Sequence, residues 1–191
     1  VTPNSGRELW VITSAGSQAT QVKEIAPGSL GSNPSDLANF NGTLYFAADD
    51  SVNGRELWKS NGTQNGTVMV RNIAANGGSD PTGMTQVGNR LYFAANDQGT
   101  FGNELWVTDG TCAGTRMVKD INTSLANHNG NSDPERLFNY NGYLIFSAID
   151  PIAQREPWIS DGTSSGTVLI FDGTTLTDIA TPNTVTSYYY A

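Results

Sequence analysis

The sequence predicts an all-β fold, and within it a four-bladed β-propeller with one blade completed by strands from both chain ends. Three observations predict it. Trp10, Trp58, Trp106 and Trp158 are the only tryptophans in 191 residues and stand 48, 48 and 52 residues apart. Each returns with the same β-rich surroundings, a period that belongs to repeat architectures. No segment carries the 3.6-residue apolar period of an amphipathic helix, whereas strand-sized runs bounded by Gly, Asn and Pro recur throughout. Composition agrees: charged residues make up 15% and there are 21 glycines, against a usual charged fraction of about 25%, so turn formers replace helix formers.

With the second unit as template, the elements follow in order. Strand a, Ser35 to Phe40, opens after Asn33-Pro34; Asp80-Pro81 and Asp133-Pro134 open its counterparts. Strand b, Thr43 to Ala48, follows the Asn41-Gly42 pair, as Leu91-Tyr92-Phe93 follows Gly88-Asn89 and Leu144-Ile145-Phe146 follows Asn141-Gly142. Such pairs tolerate the positive φ of a tight hairpin. Strand c, Arg55 to Ser60, holds Glu-Leu-Trp, repeated at Glu8, Glu104 and, with Pro157 in place of Leu, at Glu156. Strand d, Thr67 to Ile73, matches Thr20 to Ile25, Met117 to Ile121 and Val168 to Phe171.

The chain begins with c and d, at Arg7 to Val11 and Thr20 to Ile25, and runs through three complete units. It ends with Thr175 to Ala180 as a further strand a, and Ser187 to Ala191 aligned with Thr43 to Ala47 as strand b. The two ends are complementary halves of one unit, and pairing them removes the exposed edges of an open row of sheets. The expectation is one domain over 1–191, with blades 34–73, 81–121, 134–172 and a mixed blade from 7–25 plus 174–191. The alternative is a segment of a longer blade array, or strand exchange between subunits through the termini.

Recurrence within one chain argues for a structural task. Alternation puts Glu56 and Trp58 on one face of strand c and Leu57 on the other, so Leu and Trp are read as packing between blades. The glutamates Glu8, Glu56, Glu104 and Glu156 are carboxylates that need partners when buried. Either backbone N–H groups of a nearby turn supply them, or the recurrent base on strand d does: Lys23, Arg71 and Lys119, with Phe171 in the fourth unit. Asn61-Gly62-Thr63, Asp109-Gly110-Thr111 and Asp161-Gly162-Thr163 are hairpin turns between c and d; the first unit has Ser14-Ala15-Gly16 instead.

Glu-Leu-Trp, two variable positions, Asp-Gly-Thr, Ala-Gly-Thr and Val-Lys-Asp-Ile, as in Glu104 to Ile121, resemble the bacterial ELWxxDGT repeat, and the resemblance covers essentially the whole chain. Pro157, Asn61 and the missing Asp-Gly-Thr of the first unit depart from it. The resemblance implies a secreted or cell-surface repeat protein of propeller-like fold, and no particular reaction.

A net charge of −8 and a pI near 4.4 argue against nucleic acid, whose binding is driven by cations. No apolar run approaches the ~18 residues of a membrane span. One cysteine, Cys112, excludes an internal disulfide, and one histidine, His128, excludes His-cluster metal sites. There is no Gly-x-Ser-x-Gly elbow and no phosphate-cradling glycine loop, so an enzyme is not expected.

The c-to-d and a-to-b turns form one repetitive rim; the b-to-c and d-to-a loops form the other, where variation concentrates and binding is expected. Its candidates are Asp49, Asp50, Asn96, Asp97, Phe101, His128 and Asp150. The expected function is a non-enzymatic extracellular or cell-surface binding or scaffolding module that contacts a protein or glycan partner through this rim. The alternatives are a calcium-binding propeller, with Asp50, Asp97 and Asp150 offering oxygen ligands, and a secreted hydrolase acting on an extracellular polymer. Apart from that Ca2+, no cofactor is expected.

Overall fold

A computed structural model describes residues 6–124, 130–152 and 155–170. They form fourteen strands and, among the described residues, no α-helix: β1 (Leu9–Val11), β2 (Thr20–Lys23), β3 (Ser35–Phe40), β4 (Thr43–Asp49), β5 (Arg55–Ser60), β6 (Val68–Arg71), β7 (Thr82–Val87), β8 (Arg90–Asn96), β9 (Asn103–Thr108), β10 (Arg116–Lys119), β11 (Glu135–Tyr140), β12 (Tyr143–Ile149), β13 (Arg155–Ser160) and β14 (Val168–Leu169). All pairings are antiparallel between sequence neighbours, giving one two-stranded sheet, β1-β2, and three four-stranded sheets, β3-β4-β5-β6, β7-β8-β9-β10 and β11-β12-β13-β14.

The strands a, b and c lie almost where the sequence puts them. Strand d is shorter than expected, Val68–Arg71 in place of Thr67 to Ile73, because the chain bulges at Leu57/Trp58 and then leaves the ladder to bring its amides to Glu56. The same bulge occurs between Leu9 and Trp10. The segment 174–191, expected to complete the first unit, lies outside the described residues, as do His128 and Phe171.

Packing runs from sheet to sheet. Tyr45, Leu57 and Val70 of the second sheet meet Leu91, Phe93 and Trp106 of the third. Tyr92, Leu105 and Val118 of the third meet Leu144, Phe146 and Trp158 of the fourth. Leu9, Val22 and Ile25 of the first meet Phe46, Ala48 and Trp58 of the second. Alternation along strand c therefore does what it predicts: Leu57 faces forward and Trp58 backward, both buried.

The recurrent glutamates bind the chain where it passes from one sheet to the next. Glu56 accepts the amides of Ile73 and Ala74 at 3.1 and 3.0 Å and the hydroxyl of Ser79 at 2.6 Å. Glu104 accepts Ile121 and Ser132 amides at 3.0 and 3.1 Å and the Ser132 hydroxyl at 2.6 Å. Glu8 repeats the arrangement with Ile25, Ala26 and Ser32. Of the two partners weighed for these carboxylates, turn amides are the ones used.

The bases on strand d reach forward instead. Lys23 Nζ donates to the Thr67 carbonyl at 2.8 Å, Arg71 to Thr115 at 2.6 Å and Lys119 to Thr167 at 2.8 Å, each in the following sheet. Lys23 and Lys119 also lie over the rings of Trp58 and Trp158, at 5.8 and 5.6 Å. These clasps hold each turn between c and d against the sheet before it.

Candidate functional site

The register sorts the loops into two ends. Ser35 lies opposite Ala47 and Asp49 opposite Arg55, so the start of β3, the end of β4 and the b-to-c loop share one end. The Asn41-Gly42 and Asn61-Gly62-Thr63 turns share the other. That second end is stereotyped: Asn61, Asp109 and Asp161 each accept both the amide and the hydroxyl of the Thr two residues on. Ser60 and Thr67, Thr108 and Thr115, and Ser160 and Thr167 each pair through their hydroxyls at 2.7 Å beneath the turn.

At the first end the predicted carboxylates are occupied by their own loops. Asp49 accepts the Ser51 amide at 2.7 Å. Asp50 accepts the amides of Val52 and Asn53 at 2.9 and 2.7 Å and the Asn53 side-chain amide at 2.7 Å. Burial raises the Asp50 carboxyl, but the Asn53 and Val52 donors outweigh it and hold it below the usual range. Asn96 accepts Gln98 N at 2.6 Å, Asp97 accepts Gly99 N and Gly102 N at 3.0 and 3.1 Å, and Asp150 accepts Ile152 N at 2.9 Å. Phe101 is part exposed on the same loop as Asp97, and His128 falls outside the described residues.

The structure does not bring Asp50, Asp97 and Asp150 together. Among the described residues no group of three His, Cys, Asp or Glu side chains is placed to hold a metal ion. The Asp120 carboxyl is raised by burial and then by the Asp97 charge.

Sequence reasoning missed the feature at the centre of this end. The first strands of the three complete sheets converge on an open cavity of about 370 Å³, lined by Asp36, Leu37, Gly83, Met84, Thr85, Arg136 and Leu137. Each of these strands carries a bulge just after its first residue, with positive φ at Asp36, Gly83 and Arg136 (52°, 69° and 56°). The bulge breaks strict alternation and turns the side chains of positions two and three toward the cavity. Asp36 accepts the Ser35 hydroxyl at 2.8 Å and the Gly83 amide of the next sheet at 3.4 Å. Thr85 donates to Leu137 O at 3.2 Å, tying the next pair of strands.

Arg136 differs from most of the other cations. Six of the ten lysines and arginines, Lys23, Lys59, Arg71, Arg90, Arg116 and Lys119, donate to backbone carbonyls in the next sheet. Arg55 and Arg155 hold the entry to strand a in their own sheets. Arg136, in the cavity wall, and Arg7, outside it, are exposed, and among the described residues their side chains make no hydrogen bond or ion pair. The available signal was the lack of repetition: the second residue of strand a is Asp, Gly and Arg in turn, while the flanking scaffold repeats.

Comparison with family models, with curated proteins and with solved structures returned no match to this chain.

Proposed function

We propose that the chain is a four-bladed propeller, closed by its ends, that serves as a non-enzymatic extracellular or cell-surface binding module. A protein or glycan partner docks on the rim of b-to-c and d-to-a loops, centred on the cavity between the first strands. One observation carries this reading. The repeated residues are spent on scaffold, whereas the cavity wall varies from sheet to sheet and presents Arg136 with no partner among the described residues. An unpaired guanidinium beside Leu37, Met84 and Leu137 suits a ligand with an anionic group and an apolar face, such as a uronic-acid sugar or a carboxylate side chain.

The remaining ionisable groups support binding over catalysis. Glu8, Glu56 and Glu104 are filled by amide and hydroxyl donors, and Asp49, Asp50, Asp97 and Asp150 each accept amides of their own loops. The resemblance to the ELWxxDGT repeat supports the extracellular setting.

The test is binding of the full chain to immobilised panels of carboxylated polysaccharides and acidic peptides. Arg136→Ala and Asp36→Ala are measured beside Thr111→Ala on the opposite rim. Arg136→Ala is expected to weaken binding about tenfold, the equivalent of one charge-assisted hydrogen bond, with Thr111→Ala neutral. Equal loss in all three variants, or no ligand on either panel, would overturn the reading.

A further inference from the structure

We infer that Tyr189 of the chain's own C-terminal segment seats in a slot between the first and second sheets, with residues 187–191 pairing along the free edge of β1. The inference rests on the closed-propeller reading above and adds the occupant, its register and its source.

The slot is defined by comparing three equivalent junctions. Between the second and third sheets, Tyr45 packs among Leu57, Val70, Leu91 and Trp106, and its hydroxyl lies so close over Gly110 that a Cβ there would collide with it. Between the third and fourth, Tyr92 packs beside Leu105, Val118, Leu144 and Trp158, with its hydroxyl over Gly162. Between the first and second, the framework residues are the same types: Leu9 and Val22 before the junction, Leu44 and Trp58 after it. Among the described residues no tyrosine stands there. Gly62, at φ +86° and so in the left-handed region like Gly110 and Gly162, has no neighbour within 4 Å of its Cβ position among the described residues. The gap is a cavity of about 230 Å³ lined by Leu9, Trp10, Val11, Val22, Leu44 and Gly62, among others.

Among the described residues one edge of β1 is free at the same place. β5, β9 and β13 each pair on both edges, whereas β1 among the described residues pairs only with β2. An unpaired edge beside an apolar cavity is a template for one more strand. The strand it lacks is b, the one that carries Tyr45 and Tyr92 in the second and third sheets.

The chain supplies such a strand. Ser187-Tyr188-Tyr189-Tyr190-Ala191 aligns with Thr43 to Ala47, so Tyr189 takes the place of Tyr45. Tyr45 lies opposite Lys59, whose counterpart is Val11, so the register sets Tyr189 against Val11 and Tyr190 against Trp10. From Phe171 to Tyr189 there are 18 residues, against 21 from Arg71 to Tyr92 and 22 from Lys23 to Tyr45. At ~3.3 Å per extended residue that suffices for an inner strand and its return, with shortened loops.

The test uses the full chain in a Cys112→Ser background carrying Val11→Cys and Tyr189→Cys. Oxidation is expected to give an intramolecular disulfide in a monomer, while the off-register pair Val11→Cys with Tyr188→Cys, whose side chains lie on opposite faces, does not close. Because disulfides are demanding in geometry, a small diazirine amino acid at position 189 is photolysed in parallel. Its expected adduct falls on the peptide holding Leu44 or the one holding Gly62 of the same chain. Adducts or disulfides between differently isotope-labelled chains would overturn the inference in favour of a second copy in the slot. Adducts elsewhere, or none, would overturn it outright. Small-angle scattering separates this outcome from the parent reading: a compact ring with no slot adduct removes only the seat of Tyr189, whereas an elongated particle removes the closed propeller as well.

Discussion

A carboxylate removed from water and surrounded only by donors is an expensive residue to repeat, and Glu104 shows what it does. It accepts from the ends of β10 and from Ser132, 28 residues further on, and so fixes the path by which the chain leaves one sheet and enters the next. Burial pushes its pKa from 4.5 up to about 7, against the Ser132 hydroxyl and the Ile121 and Asn122 amides, which favour the anion; Glu56 is raised for the same reason. A carboxyl whose folded pKa is raised binds more protons folded than unfolded, so stability falls as pH rises from about 4.5 to 7 and is then flat. The fall from Glu104 is on the order of 3 kcal/mol in urea unfolding. Glu104→Gln should flatten that part of the pH profile. At pH 5 it should also cost about 2 kcal/mol, since the amide turns an NH2 toward donors. A flat wild-type profile would mean that the four donors hold the anion without penalty. The glutamates were legible in the sequence as recurrent carboxylates needing partners. Their partners were not, because backbone amides carry no side-chain signature; the recurrent Ser32, Ser79 and Ser132 before Asx-Pro were the one available sign.

At the scale of the element, strands a, b and c were legible almost to the residue, because Asn-Gly turns, Asx-Pro openings and alternation each constrain the backbone directly. Strand d was overrun, since its β-rich sequence continues past the bulge where the ladder ends. The cavity was not legible at all, because the bulges at Asp36, Gly83 and Arg136 overturn the period-two reading of which side chains face inward. The clasps were half legible: the bases were marked, but their acceptors are carbonyls 44 to 48 residues away in the next sheet. Lys119 tests the clasp most directly, since burial lowers its pKa and its ammonium spans both Thr167 O and the Trp158 ring. Lys119→Met keeps the stem and removes the charge. It is expected to cost about 1–2 kcal/mol, read as a lower Tm, by stranding the Thr167 carbonyl and losing the cation–π contact. An unchanged Tm would show that the apolar stem alone does the holding.

For the whole molecule, the informative comparison is between the three junctions described and the fourth that closure requires. At each described junction a base meets the turn of the next sheet, and a Ser or Thr hydroxyl pair sits beneath that turn. The residues that would meet at the fourth depart on both sides. Phe171 stands for the base and Ile145 for the tyrosine, while Ile12, Ser14 and Ala19 stand for the Ser, Gly and Thr of the receiving turn. Ile12 is 63% exposed, and on β11 Phe138 is 61% exposed, both larger apolar surfaces than the repeated positions leave open. On the closed-propeller reading, a seam between these residues would be apolar and would lack the base that clasps each described junction. Local opening starts where buried contacts and hydrogen bonds are fewest. Amides of β1 and β2 should therefore exchange with deuterium faster than those of β4, β5, β8 and β9, at a rate insensitive to salt because no ion pair is broken in opening. Equal protection in all four sheets would require the seam to be as strong as the clasped junctions, and would show that the apolar substitutions compensate for the bases they replace.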